Sequence, residues 1–92
     1  MPPWRVELTP AAARRLRRIR PAELLALRGI ILGLADERHP PGASKLVGTD
    51  LWRVRVRIDR VPWRVVYQLR DAERLVVVAR IARRDEATYR RL

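Results

Sequence analysis

Three arginines at alternate positions, Arg53, Arg55 and Arg57, are the residues of this chain best suited to chemistry. They lie in the stretch LWRVRVRI, where Trp52, Val54, Val56 and Ile58 take the intervening positions. Read with the two-residue period of a strand, the apolar set faces one way and the arginines the other. Arg64 follows in the next apolar stretch and could meet Arg55 across an antiparallel pair, register allowing. Guanidinium groups hold their protons at any workable pH, so titration cannot relieve the repulsion among them. Such a face makes physical sense where an anion settles on it. Arginine forks grip phosphate at two points and stabilise charge growing on phosphoryl oxygens. Singly, each arginine reads as a solvated residue whose stem covers apolar surface. Together with Arg80, Arg83 and Arg84 they read as an anion site.

Other constellations are missing. The chain has no cysteine, which excludes disulfides, thiolate metal sites and cysteine nucleophiles together. A lone histidine, His39, sits in a proline-flanked loop with no second ligand, so no metal site is expected. There is no glycine-rich phosphate loop, and the carboxylates show no pairing of the kind a two-carboxylate mechanism needs. No cofactor is called for. Among the aromatics, Trp4, Trp52, Trp63 and Tyr67 fall in apolar strand patterns and read as core. Tyr89 differs, lying in a polar segment between Thr88 and Arg90. A phenol beside guanidinium groups could trade protons there, or simply pack the tail down.

The elements that must position these residues follow from pattern and punctuation. Trp4 to Leu8 alternates as a short half-buried strand. Thr9 and Pro10 then open a helix through Ile19, with Thr9 as N-cap. A second helix runs from Pro21 to Arg38, with Leu24, Leu27, Ile31 and Leu34 as its buried stripe. Gly29 and Gly33 within it mark positions where another backbone could come close. A polar loop to about Asp50 leads into Leu51–Ile58, a tight connection at Asp59 and Arg60, and Val61–Leu69. A turn over 70–73 precedes a last strand from Arg74 to Ala82, and a short helix or tail closes the chain. The fold class is α+β: an N-terminal strand and a helical hairpin packed on an antiparallel sheet with a C-terminal three-strand meander. The 92 residues make one domain, spanning 1–92.

Net charge is the strongest global signal: 21 basic against 10 acidic residues, or +11, favour polyanionic partners. Lys45 is the one lysine, a bias that genome composition alone can produce, so arginine position weighs more than arginine count. No apolar run approaches the roughly 20 residues of a membrane span, and the N-terminus lacks a signal-peptide core. A cytoplasmic protein with no membrane partner is the expectation.

Five stretches in this order carry a resemblance: LTPAAARRLRRI, KLVG, LWRVRV, WRVVYQL and RIARRDEATYRR. Together they resemble the RelE/ParE toxin superfamily of bacterial type II toxin–antitoxin systems over nearly the whole chain. The resemblance implies a toxin, favouring the RelE-like branch. Those members are metal-independent endoribonucleases that cut mRNA in the ribosomal A site, by attack of a ribose 2′-hydroxyl on the adjacent phosphate. It implies catalytic roles for Arg64, Arg83 and Tyr89, with Arg84 in place of Arg83 if the register slips by one. Arg53 and Arg55 match the basic pair of the second strand, and Arg57, Arg80 and Arg84 complete a substrate-binding set. A cognate antitoxin, the ribosome and mRNA are the implied partners, in a heterotetramer or larger toxin–antitoxin complex. The alternatives are a ParE-like inhibitor of DNA gyrase, and an inactive toxin-like domain that binds an antitoxin or nucleic acid.

Three departures from the ribonuclease pattern stand out. Arginines replace lysines at 53 and 55, and a guanidinium is a poor general base. The connection between Val56 and Trp63 looks longer than the family's compact version, which could move Arg64. Trp63, where the family often has tyrosine, can be neither acid nor base, leaving Tyr89 as the proton-transfer side chain.

Overall fold

The computed structural model describes residues 3–84. Its elements are β1 (Arg5–Leu8), α1 (Pro10–Leu16), α2 (Pro21–Gly33), β2 (Ala43–Lys45), β3 (Leu51–Ile58), β4 (Val61–Arg70) and β5 (Leu75–Arg83). The sheet runs β1-β5-β4-β3-β2. The meander of β3, β4 and β5 is antiparallel as its sequence predicts, while β1 joins β5 in parallel and makes the sheet mixed. The expected C-terminal helix or tail lies outside the described residues.

Both helices end earlier than their apolar patterns suggest. Beyond Leu16 the amides of Arg18 and Ile19 bond carbonyls three residues back, and Pro21 stops any continuation. Beyond Gly33 the amides of Leu34, Ala35 and Asp36 do the same, so the last turn tightens into a 3₁₀ geometry. No side chain approaches where a Cβ at Gly29 or Gly33 would sit, so neither marks a close backbone crossing. The close approach is at Gly42, with φ of +90° and a Cβ position only 3.2 Å from the Arg55 carbonyl oxygen. That glycine lets β2, read from sequence as polar loop, lie against β3 with Ser44 opposite Arg53. Three residues without alternation give no strand signal.

The core lies between the two helices and one face of the sheet. Ala12, Leu27, Ile31 and Leu34 come from the helical side, and Val54, Ile58, Trp63, Val65, Tyr67, Val76, Val78 and Ile81 from the strands. The predicted inward stripe of α2 therefore holds, with Leu24 half-buried at its start. The β3–β4 connection is a two-residue hairpin at Asp59 and Arg60, both at positive φ (50° and 68°). This is the geometry of a type I′ turn, which matches strand twist. The connection is thus compact, and β3 and β4 pair from Ile58–Val61 back to Leu51–Gln68 without a break.

One irregularity decides which face the last residues of β5 take. Val66 pairs with Arg80 but Tyr67 pairs with Val78, leaving Ala79 as an extra residue in β5. Without that bulge, simple alternation would put Val78 and Ile81 on opposite faces. With it, both enter the core, and Arg80 turns outward. The N-cap of α1 holds the bulge: the Thr9 hydroxyl donates to the Ala79 carbonyl at 3.2 Å and accepts from the Ala12 amide at 3.2 Å.

Candidate functional site

The face of the sheet away from the helices carries the arginines. Arg55 lies directly opposite Arg64, so two guanidinium side chains leave adjacent strands from neighbouring Cβ atoms. Arg53 is opposite Val66, which is in turn opposite Arg80; Arg64 is opposite Ala82. Arg57 pairs with Pro62, whose carbonyl accepts the Arg84 amide at 3.0 Å. By alternation Arg84 belongs to the same face as Ala82 and Arg64. Three rows result: Arg57–Pro62–Arg84, Arg55–Arg64–Ala82 and Arg53–Val66–Arg80. Val66 and Ala82 are buried although they lie outside the core cluster, as residues under arginine stems are.

No aspartate or glutamate lies within β3, β4 or β5, so the strands bring no carboxylate to offset these charges. Like charges directly opposite one another repel, and Arg55 stands opposite Arg64 at the centre of the face. Arg53 is steadied by β2: its Nη2 donates to Ser44 Oγ at 2.9 Å. Its Nε is buried with no partner among the described residues. Sequence alone gave no sign of Ser44, since a three-residue edge strand has no pattern to read. Chemically, the face can hold a phosphodiester through paired guanidinium forks and favour a transition state richer in charge than its substrate. Among the described residues it presents no group that readily abstracts a proton.

One residue proposed from the sequence as catalytic does not join this face. Arg83 pairs with Trp63 and lines a recess with Arg15, Arg18, Arg20 and Glu23 on the helical side of the sheet. Tyr89 lies outside the described residues. Trp63 is core, 2% exposed, with the Arg15 guanidinium 5.5 Å from its ring centroid. The aromatic of the WR pair and its arginine therefore point to opposite faces, as adjacent strand residues must.

Tyr67 is buried and donates its hydroxyl to the Arg38 carbonyl at 2.6 Å. Burial first, and the charge of Glu37 second, raise its pKa above the ordinary tyrosine value. The phenol is a structural donor in the neutral state. Because the folded pKa is the higher, this contribution to stability is complete below the unfolded value of about 10 and is lost as pH rises through the folded one. Tyr67→Phe is expected to cost about 1 kcal/mol at neutral pH. It should also flatten the alkaline loss of stability, read as urea unfolding between about pH 9 and about pH 11.

Among the described residues no helix is long and apolar enough to cross a membrane, and no group of three or more His, Cys, Asp or Glu is placed to hold a metal ion.

A two-helix layer on a five-stranded mixed sheet is a fold this chain shares with RelE toxins of known structure. The RelBE2 toxin–antitoxin complex of Mycobacterium tuberculosis matches with a TM-score of 0.76 at 24% identity, over 90% of this chain and 100% of that one. The intact RelBE complex of E. coli gives 0.73 at 17% identity, over 90% and 99%. The archaeal RelE–RelB complex of Pyrococcus horikoshii gives 0.65 at 26% identity, over 94% and 100%. No curated protein matches in sequence. The profile of the ParE toxin family of type II toxin–antitoxin systems matches residues 6–88, and the chain belongs to that family. It is a toxin of the RelE/ParE superfamily, as the five ordered stretches implied.

Proposed function

We propose that this toxin is a metal-independent endoribonuclease that cuts mRNA in the ribosomal A site. The observation that carries the reading is the direct pairing of Arg55 with Arg64, flanked by Arg53, Arg57, Arg80 and Arg84 on a face whose strands hold no carboxylate. The scissile phosphate sits over Arg55 and Arg64. The ribose 2′-oxygen attacks phosphorus, the bond to the 5′-oxygen breaks, and a 2′,3′-cyclic phosphate and a 5′-hydroxyl are left. The arginines neutralise the charge that builds on the phosphoryl oxygens. They do not take the 2′ proton, which falls to Tyr89 or to a group of the ribosome, and the departing 5′-oxygen picks up a proton from solvent. The setting is cytoplasmic, where translating ribosomes are.

Of the two late arginines this reading takes Arg84, which shares the face of Arg64, ahead of Arg83, which faces the helices. Arg84→Ala should slow cleavage about tenfold or more, as expected for one charge-assisted contact. Arg83→Ala should leave the cleavage rate within about threefold and act on stability instead. Primer extension on mRNA programmed into purified ribosomes tests the function and this assignment together. Cuts at A-site codons that weaken with Arg84→Ala support both. A cognate antitoxin, acidic or amphipathic, completes the reading; the RelE toxins of M. tuberculosis and E. coli named above occur in complex with theirs.

Two observations favour a second reading. The matching family is that of the ParE toxins, and both lysines of the ribonuclease pattern are arginine here. On that reading the toxin binds DNA gyrase. An uncut message with accumulated cleaved DNA in expressing cells would select it.

A further inference from the structure

The edge strand β2 contributes one polar side chain to the arginine face. Ala43 packs against the core, and Lys45, opposite Trp52, falls by alternation on the same side of the sheet. Ser44 lies between them and faces the other way, where its hydroxyl oxygen accepts from Arg53 Nη2 at 2.9 Å. The close passage of Gly42 along the Arg55 carbonyl, open only to glycine, is what lays Ser44 opposite Arg53. The choice of partner is informative. A carboxylate in that place would hold the guanidinium more firmly but cancel its charge. A hydroxyl accepts the hydrogen bond and leaves the charge whole. That combination, a cation fixed in place and not neutralised, suits an anion site and gives nothing extra to a purely structural clamp.

We propose that Arg53 is a second phosphate subsite, which takes the phosphate next to the scissile one on the same RNA strand, and that Ser44 is its positioning residue. This rests on the ribonuclease reading above, which seats the scissile phosphate over Arg55 and Arg64. Arg53 and Arg55 are two residues apart on one strand, a step of about 6.8 Å along β3. Successive phosphates of an extended single strand are separated by a comparable distance, so neighbouring rows of the face serve neighbouring phosphates. Arg53 is half-buried and already tied to Ser44, so little side-chain freedom is left to lose when the phosphate arrives. A phosphate that does not react is held equally before and during the chemical step. Its subsite therefore tightens substrate binding without speeding the step itself.

Fluorescence anisotropy of labelled hexauridylate on the full chain, over a range of salt concentrations, tests this. Ser44→Ala should weaken binding about tenfold and flatten the slope of log affinity against log salt by about 0.7, as the loss of one phosphate contact does. Ser44→Thr keeps the hydroxyl and should restore most of the affinity. Ser44→Asp separates positioning from structural support. It should bind no better than Ser44→Ala, while its midpoint in urea is no lower than that of the unmodified toxin. In an Arg53→Ala background, Ser44→Ala should add less than about twofold, since both changes remove the same contact. On programmed ribosomes the Ser44→Ala loss should appear in KM and not in kcat. Unchanged affinity in Ser44→Ala overturns the proposal. So does a Ser44→Asp protein that binds as tightly as the unmodified toxin, since the side chain at 44 would then only dock β2. An effect of Ser44→Ala that persists in full without Arg53 overturns it as well. A message left uncut on ribosomes would instead overturn the ribonuclease reading, and the anisotropy would still read the subsite.

Discussion

Arg64→Ala is expected to slow A-site cleavage about 100- to 1,000-fold, the range seen when one preorganised donor to a developing oxyanion is removed, or about 3–4 kcal/mol. Arg64 is the residue to change because it sits at the centre of the face, directly opposite Arg55 and one strand from Ala82. It has guanidinium neighbours in the rows on both sides. A phosphate bridging Arg55 and Arg64 loses half of its grip when Arg64 is truncated. The fold should survive the change. Arg64 is only half-buried and lies on the face of the sheet away from the core cluster. Circular dichroism and the thermal midpoint should therefore stay close to those of the unmodified toxin. Arg64→Lys should fall between the two, since an ammonium keeps the charge but loses the planar fork. Single-turnover primer extension on programmed ribosomes gives the rates. Unchanged cleavage in a folded Arg64→Ala protein would move the phosphate away from this face.

The arginine face was legible because it rests on the simplest of patterns. Arg53, Arg55 and Arg57 alternate with apolar residues in one unbroken strand, and alternation alone puts them outward. The partnership of Arg55 with Arg64 needed one further quantity, the length of the β3–β4 turn. Two residues at positive φ, Asp59 and Arg60, fix it. No asparagine–glycine or aspartate–glycine pair announces that turn, and only the strand patterns on either side bracket those two residues. The choice between Arg83 and Arg84 could not be made from sequence at all. Both follow the bulge at Ala79, and one extra residue exchanges the faces of everything after it. Nothing in VVVARIARR marks the bulge. It is set by a contact 70 residues away along the chain, from the Thr9 hydroxyl to the Ala79 carbonyl. For the same reason β2 escaped notice: it exists because Gly42 can approach the Arg55 carbonyl, a tertiary fact with no local pattern.

Trp63→Ala should cost about 3–5 kcal/mol of folding stability, a large share of what a domain of this size has to lose. The side chain is among the largest fully buried ones in the structure and belongs to the same cluster as Leu27, Ile31, Val65 and Tyr67. Truncation would open a cavity where the end of β4 meets the segment that joins α1 to α2, and would leave the Arg15 guanidinium without the ring it lies over. For a chain of 92 residues the thermal midpoint should fall by roughly 12 °C or more. Trp63→Phe, which keeps an aromatic ring but drops the indole N–H, should cost well under half as much. The pair of variants separates two roles that the WR sequence joins. If Trp63 served the arginine face, Trp63→Phe would slow cleavage while leaving the fold intact. A core residue facing away from Arg64 predicts the reverse: cleavage by Trp63→Phe close to that of the unmodified toxin, and losses for Trp63→Ala that follow the unfolded fraction measured in urea. A slowed but fully folded Trp63→Phe protein would show that the two faces of β4 are coupled, and would extend the functional site through the sheet.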